Sequence, residues 1–189
     1  MRRELRIERI AAVAAMLLVV GCGGRAAHDP GERGDGVIDV NGRLSRRGSS
    51  PFSLMLLRSA AGRTYMIQSS RLGDELRALD GMDVAVSGFL VPNDENVPVI
   101  AVRRYDVLRV PSGEKPLVGI VRASRAGNNA IWIVDDNDVQ WNLRGDFREV
   151  LMSFVGAKVW VTGIVERSIN VGQGSMRTIL VTEYGVIRR

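Results

Sequence analysis

Two stretches of this chain, 75 residues apart, spell nearly the same phrase. Gly81-Met82-Asp83-Val84-Ala85-Val86-Ser87-Gly88 and Gly156-Ala157-Lys158-Val159-Trp160-Val161-Thr162-Gly163 share the pattern G-x-x-V-x-V-[ST]-G. The correspondence continues on both sides. Gly42-Arg43-Leu44 matches Gly119-Ile120-Val121, and Tyr65-Met66-Ile67 matches Trp141-Asn142-Leu143. Tyr105-Asp106-Val107-Leu108-Arg109 matches Tyr184-Gly185-Val186-Ile187-Arg188. The offsets run from 75 to 79 residues, so the copies differ by short insertions where loops are expected. A period of this length is a whole small domain rather than a solenoid unit.

Each copy carries the same succession of elements. In the first, alternation predicts strands at 37–46, 52–59, 63–69, 82–91 and 98–109. Leu72, Leu76 and Leu79 fall at helical spacing within 71–80, with Ser70 as N-cap and Gly81 as the stop. The second copy predicts strands at 117–125, 130–135, 139–144, 157–166 and 176–187. Its helix is expected at 147–155, with Asp146 as N-cap and Val150, Leu151 and Phe154 facing inward. Aromatics are only 5% of the chain, so both cores must rest on Val, Ile, Leu, Ala and Met.

Three strands, a helix and two strands resemble the OB-fold, a small five-stranded barrel with its helix between the third and fourth strands. The resemblance covers essentially all of 36–189 and lies in topology and in the V-x-V-[ST]-G strand, whose glycine suits a sharp bend. It implies a mainly β fold class, tandem duplicated OB-fold-like barrels with one helix per repeat. A different five-stranded barrel or an open α+β sheet fits the same pattern. The repeats are placed at 37–110 and 117–189, joined by a linker at 111–116 that contains Pro111-Ser112-Gly113.

The first 21 residues read differently. Arg2, Arg3, Arg6 and Arg9 precede ten apolar residues, Ala11 to Val20, and then Gly21-Cys22. A basic start, a short apolar run and a small residue form a signal-peptide pattern. Ten helical residues rise about 15 Å, roughly half of a hydrocarbon core, too short for a stable span. Val19-Val20-Gly21-Cys22 resembles the lipobox of bacterial lipoproteins, with Val where Leu is commoner. The resemblance implies diacylglyceryl transfer to the Cys22 sulfur, cleavage between Gly21 and Cys22, and a membrane anchor through that lipid. It also implies the outer membrane facing the periplasm, because Gly23 stands where the sorting rule of enteric bacteria places Asp for retention. Residues 22–36 are then the lipidated cysteine and a flexible tether, rich in Gly, Pro and Asp.

Composition removes several chemistries. With one cysteine there is no internal disulfide and no thiolate cluster, and the only histidine, His28, falls in the tether. No phosphate-binding glycine loop occurs. Asp135-Asp136-Asn137-Asp138 is the densest acidic cluster, but it sits between strands, where Asp and Asn form turns. Asp146 and Glu149 are the place to look for a hydrolase's carboxylate pair, but they occupy a helix start, where acids meet the dipole favourably. The expectation is therefore a protein without enzymatic activity, cofactor or metal.

Binding suits the fold better. Arg46, Arg47, Arg63, Arg103 and Arg104 are candidates for one basic face, with a solvated sheet surface as the plain alternative. Trp132 and Trp160 alternate out of phase with their Ile and Val neighbours, so they are expected to face outward as a contact patch. Four arginines against two glutamates in residues 1–21 leave +3 of the +5 net charge to the rest. With few aromatic platforms and a membrane address, no nucleic acid is expected as partner. The reading is an envelope lipoprotein acting as a binding or scaffold module for another envelope protein. The alternative is a sensor or carrier of an anionic small molecule or glycan.

Overall fold

The computed structural model describes residues 36–49, 52–93, 96–124, 130–166, 170–171, 174–175 and 177–189. Gly21, Cys22, His28 and the tether through residue 35 lie outside them, as does most of the loop 124–129 and of 167–176.

The first half runs β1 (Val37–Arg47), β2 (Leu54–Ser59), β3 (Thr64–Ile67), α1 (Arg71–Arg77), β4 (Asp83–Val91) and β5 (Val99–Arg109). The second runs β6 (Leu117–Ala123), β7 (Ile131–Asp135), β8 (Gln140–Arg144), α2 (Arg148–Met152) and β9 (Lys158–Glu166). Two short strands, β10 (Asn170–Val171) and β11 (Gly174–Ser175), pair with each other before β12 (Arg177–Arg188). The fold is mainly β, with a five-stranded sheet in each half.

Pairing follows one scheme in both. The first sheet runs β1-β2-β3-β5-β4 and returns to β1; the second runs β12-β8-β7-β6-β9 and returns to β12. Counted within each half, both orders read 1-2-3-5-4. Every pair is antiparallel except β3 with β5 and β8 with β12.

The period of two sets the inner face. Met55 and Leu57 on β2, and Val84 and Val86 on β4, are buried while their neighbours are less so. The second half repeats this with Ile131, Ile133, Val159 and Val161. Gly88 and Gly163, the matched ends of the repeated phrase, sit beside register shifts against β5 and β12. A Cβ on either would run into a backbone carbonyl of the neighbouring strand, that of Ala101 or Leu180. The bend glycine is thus a close-approach glycine in both copies.

The helices depart from expectation at their ends. Ser70 caps α1, its hydroxyl accepting from the Gly73 amide at 3.1 Å. Regular helix stops at Arg77 rather than at 80. Ala78 and Leu79 donate instead to Glu75 and Leu76, three residues back, and these tighter bonds lead into Gly81 at φ 80°. Helix α2 is shorter still. Phe147, not Asp146, holds its N-cap, and no side chain closes the cap. Leu151 is buried and Phe154 packs on the core, but Val150 is 43% exposed, contrary to its inward assignment.

Candidate functional site

The halves meet through a buried charge. Glu75 on α1 is only 3% exposed. It accepts hydrogen bonds from the Tyr105 hydroxyl at 2.7 Å and from Lys158 Nζ at 3.2 Å. Arg188 Nη1 lies 3.1 Å from its other oxygen, and Arg71 flanks it at 3.9 Å. Helix and tyrosine belong to the first half; Lys158 and Arg188 come from β9 and β12 of the second. Lys158 also lies 4.8 Å from the centroid of the Tyr105 ring. Burial by itself raises the Glu75 pKa, but the Tyr105 hydrogen bond, Lys158 and Arg188 outweigh it and hold the carboxyl below its usual range. Tyr105 is pushed far up, first by burial and then by the Glu75 carboxylate it donates to.

Apolar contact surrounds this lock. Trp160 points away from the core of its own half and is 6% exposed because it joins the core of the first half, together with Ile187. Gly185 lies opposite Trp160 across β12, and a Cβ there would collide with the indole. A side-chain-free strand position therefore lets the ring lie flat over it and reach the other half. Residues 159–162 of β9 are consequently covered on both faces. The outward phase of Trp160 is as expected; its contact patch is internal.

A cleft of about 500 Å³ follows this seam. Lys115 and Lys158, the chain's two lysines, line it with Asp106, Asp135 and Asp136, so its charges nearly cancel. Asp135 is committed to the local turn. Its carboxylate accepts from the amides of Asn137 and Val139 at 2.9 Å and from the Trp141 indole at 3.3 Å. Asp138 completes the turn at φ 60°.

The more distinctive surface is one rung of the first sheet. Pairing across four strands sets Arg58, Arg43, Asp83 and Arg109 side by side on β2, β1, β4 and β5. They border an open groove of about 700 Å³ with Lys115 at its rim and Leu108 exposed in its wall. Arg43 and Arg58 are direct cross-strand neighbours, and like charges so placed are destabilising. Among the described residues, none of these four cations makes an ion pair or a side-chain hydrogen bond. Four cations thus face one groove with only Asp83 among them.

The arginines singled out from sequence do not share one face. Arg47 is paired with Leu54 at the start of β2, whereas Arg63 lies in the turn after its end, five residues or about 17 Å along the strand. Arg46 is tied to the end of α1, its amide donating to Asp80 and its guanidinium to the Arg77 carbonyl. Arg103 stacks 5.2 Å over Phe89, and Arg104 pairs with Ser87 on the outer sheet surface. Trp132 is half-buried between its pairing partners Arg122 and Asn142. Cys22 and Gly21 fall outside the described residues. Missed altogether were Arg43, Arg58, Arg109, Lys115 and the lock residue Glu75. Arg58, Arg43 and Arg109 are far apart in sequence, and only strand register makes them neighbours.

The arrangement presents hydrogen-bond donors and positive charge around one carboxylate, that of Asp83. No family model matches the chain, and no curated protein matches it significantly.

Proposed function

We propose that this chain is a non-enzymatic binding or scaffold lipoprotein of the bacterial envelope, held to a membrane through lipid on Cys22 and recognising another envelope protein. In this reading the two closed sheets are tandem OB-fold barrels. Element order, the shared 1-2-3-5-4 pairing and the helix between third and fourth strands support that assignment. The lipobox-like Val19-Val20-Gly21-Cys22 supports the anchor, and two or more acyl chains give durable attachment where one does not.

One observation carries the binding role. The outer face of the second barrel already works as a recognition surface, gripping a helix of the first, while the corresponding face of the first barrel stands open and unneutralised. Affinity capture with the full-length chain from solubilised envelopes is expected to return a reproducible protein partner, and its failure to do so overturns the binding role. Cys22→Ala is expected to leave an unprocessed, unlipidated precursor; normal processing of that variant overturns the anchor.

The open groove also favours a second reading, a carrier of an anionic small molecule or glycan. Its volume of about 700 Å³ lies within the usual range of small-ligand sites, about 300–1,000 Å³. That reading expects thermal stabilisation by such ligands, about 2.7 kcal/mol at a hundred times Kd.

A further inference from the structure

Superposing the repeat on the pairing register shows the same rung twice. In the first half it reads Arg58–Arg43–Asp83–Arg109, and in the second Val134–Ile120–Lys158–Arg188. The second rung has an occupant. Lys158 and Arg188 receive the carboxylate of Glu75, presented by a short helix, while the adjoining Ile187 is buried at 6% exposure beneath the same contact. In the first half Leu108 stands in the place of Ile187 and is 36% exposed, and among the described residues the rung's three guanidiniums have no counter-charge in the groove beyond Asp83.

We propose that the groove bordered by Arg43, Arg58, Arg109 and Lys115 docks an acidic helical segment of a partner protein. The partner's carboxylates lie against the guanidiniums and an apolar side chain covers Leu108. The inference rests on the binding-module reading above and names its site and the chemistry of its ligand. Charge complementarity and the internal precedent carry it together. Planar guanidiniums suit bidentate carboxylate recognition better than lysines would. Pairing each one also removes the like-charge opposition of Arg43 and Arg58 that the free chain tolerates.

A second copy of this chain does not fit the groove. The helix equivalent to α1 is α2, and there Val150 occupies the place of Glu75. The surface equivalent to Lys158 and Trp160 offers Asp83 and Ala85. Contact between those two faces would place an apolar Val150 against Asp83 and would lack both the acid and the tryptophan. The head-to-tail contact that joins the halves therefore stops within one molecule instead of propagating from chain to chain.

The test uses the full-length chain and a fluorescent, helix-stapled peptide carrying glutamates at i, i+3, i+4 and i+7 beside one leucine. Saturable binding is expected, weakened at least tenfold in Arg43→Glu/Arg58→Glu and at least tenfold when the peptide's glutamates become glutamines. Arg103→Glu/Arg104→Glu, outside the groove, is expected to bind within twofold of the unaltered chain. The milder Arg43→Gln/Arg58→Gln guards against misfolding and should weaken binding in the same direction. Equal loss in both arginine pairs, or no binding, overturns the proposal. So does binding of inorganic phosphate or of phosphatidylglycerol vesicles in place of the peptide, or self-association that depends on Arg43. Envelope capture separates the two levels. A partner retained by Arg43→Glu/Arg58→Glu sinks this site while the binding module stands, and no partner at all sinks the module.

Discussion

Strands β4 and β9 carry the repeated phrase in the two halves, and they bury different amounts of themselves. On β4 the inward Val84 and Val86 are buried while Asp83, Ala85 and Ser87 remain half-exposed. On β9 the inward Val159 and Val161 are matched by an outward face that is also covered, with Trp160 and Thr162 both buried. The inner residues keep the core of each sheet and scarcely differ. The outer residues differ, Asp83 and Ala85 in one copy against Lys158 and Trp160 in the other, and that difference separates a solvated face from an interface. The helices have diverged in step, since Glu75 of α1 is buried under the partner half while Val150 of α2 faces solvent. Duplication supplied two copies of one scaffold, and a few outward side chains gave one copy an internal partner and left the other open.

Removing Trp160 should erase that distinction most strongly. Trp160→Ala is expected to cost about 3–5 kcal/mol, the usual range for truncating a buried large side chain. It should also split the single denaturation transition into two. The variant's remaining tryptophans, Trp132 and Trp141, both lie in the second half, so comparing their fluorescence with far-UV circular dichroism will show whether the halves separate. A single, unshifted transition would mean that the indole does not couple them.

The charge lock should matter somewhat less. Glu75→Gln leaves Lys158 and Arg188 facing a neutral amide, and about 3 kcal/mol of stability should be lost, the low end for breaking a buried pair. The low end applies because Arg188 is still 39% exposed. The matched change on the other helix, Val150→Gln, should stay within about 0.5 kcal/mol, as for an ordinary surface site. Similar losses in the two variants, measured by urea denaturation, would remove the asymmetry between the helices.

Acid should reproduce the Glu75 effect gradually. The carboxyl is held below its unfolded value, near 4.3, so its contribution is complete above that pH and is lost as pH falls through the lowered folded value. The denaturation midpoint of the unaltered chain should therefore drop more steeply below about pH 4.3 than that of Glu75→Gln. Parallel curves would show that the lock carries no pH-dependent stability.

Much of the scaffold was legible because it depends on local periodicity. Alternating apolar residues placed the ten long strands to within about two residues, and Ser70 marked the start of α1 because a cap is a nearest-neighbour interaction. The α2 start was misplaced. Asp146 is the right residue type for a cap, but the chain turns one residue later, at Phe147, whose ring packs 5.3 Å from Tyr184. The phase of Trp160 showed that it faces away from the core of its own half, but not that the other half of the same chain would cover it. Arg43 and Arg58 gave no signal at all, being separated by a turn and lying among many other arginines.

By itself, then, the sequence determined the duplication, the strands and their inward faces, and the bend glycines of each half, because these follow from backbone sterics and from apolar residues recurring at a fixed period. Tertiary structure alone decided which outward face is buried, which acid is ionised in the interior, and which arginines stand together on one rung. Those outcomes depend on register and on surfaces meeting across long sequence separations, and a sheet's outer face carries no local pattern that says what will cover it.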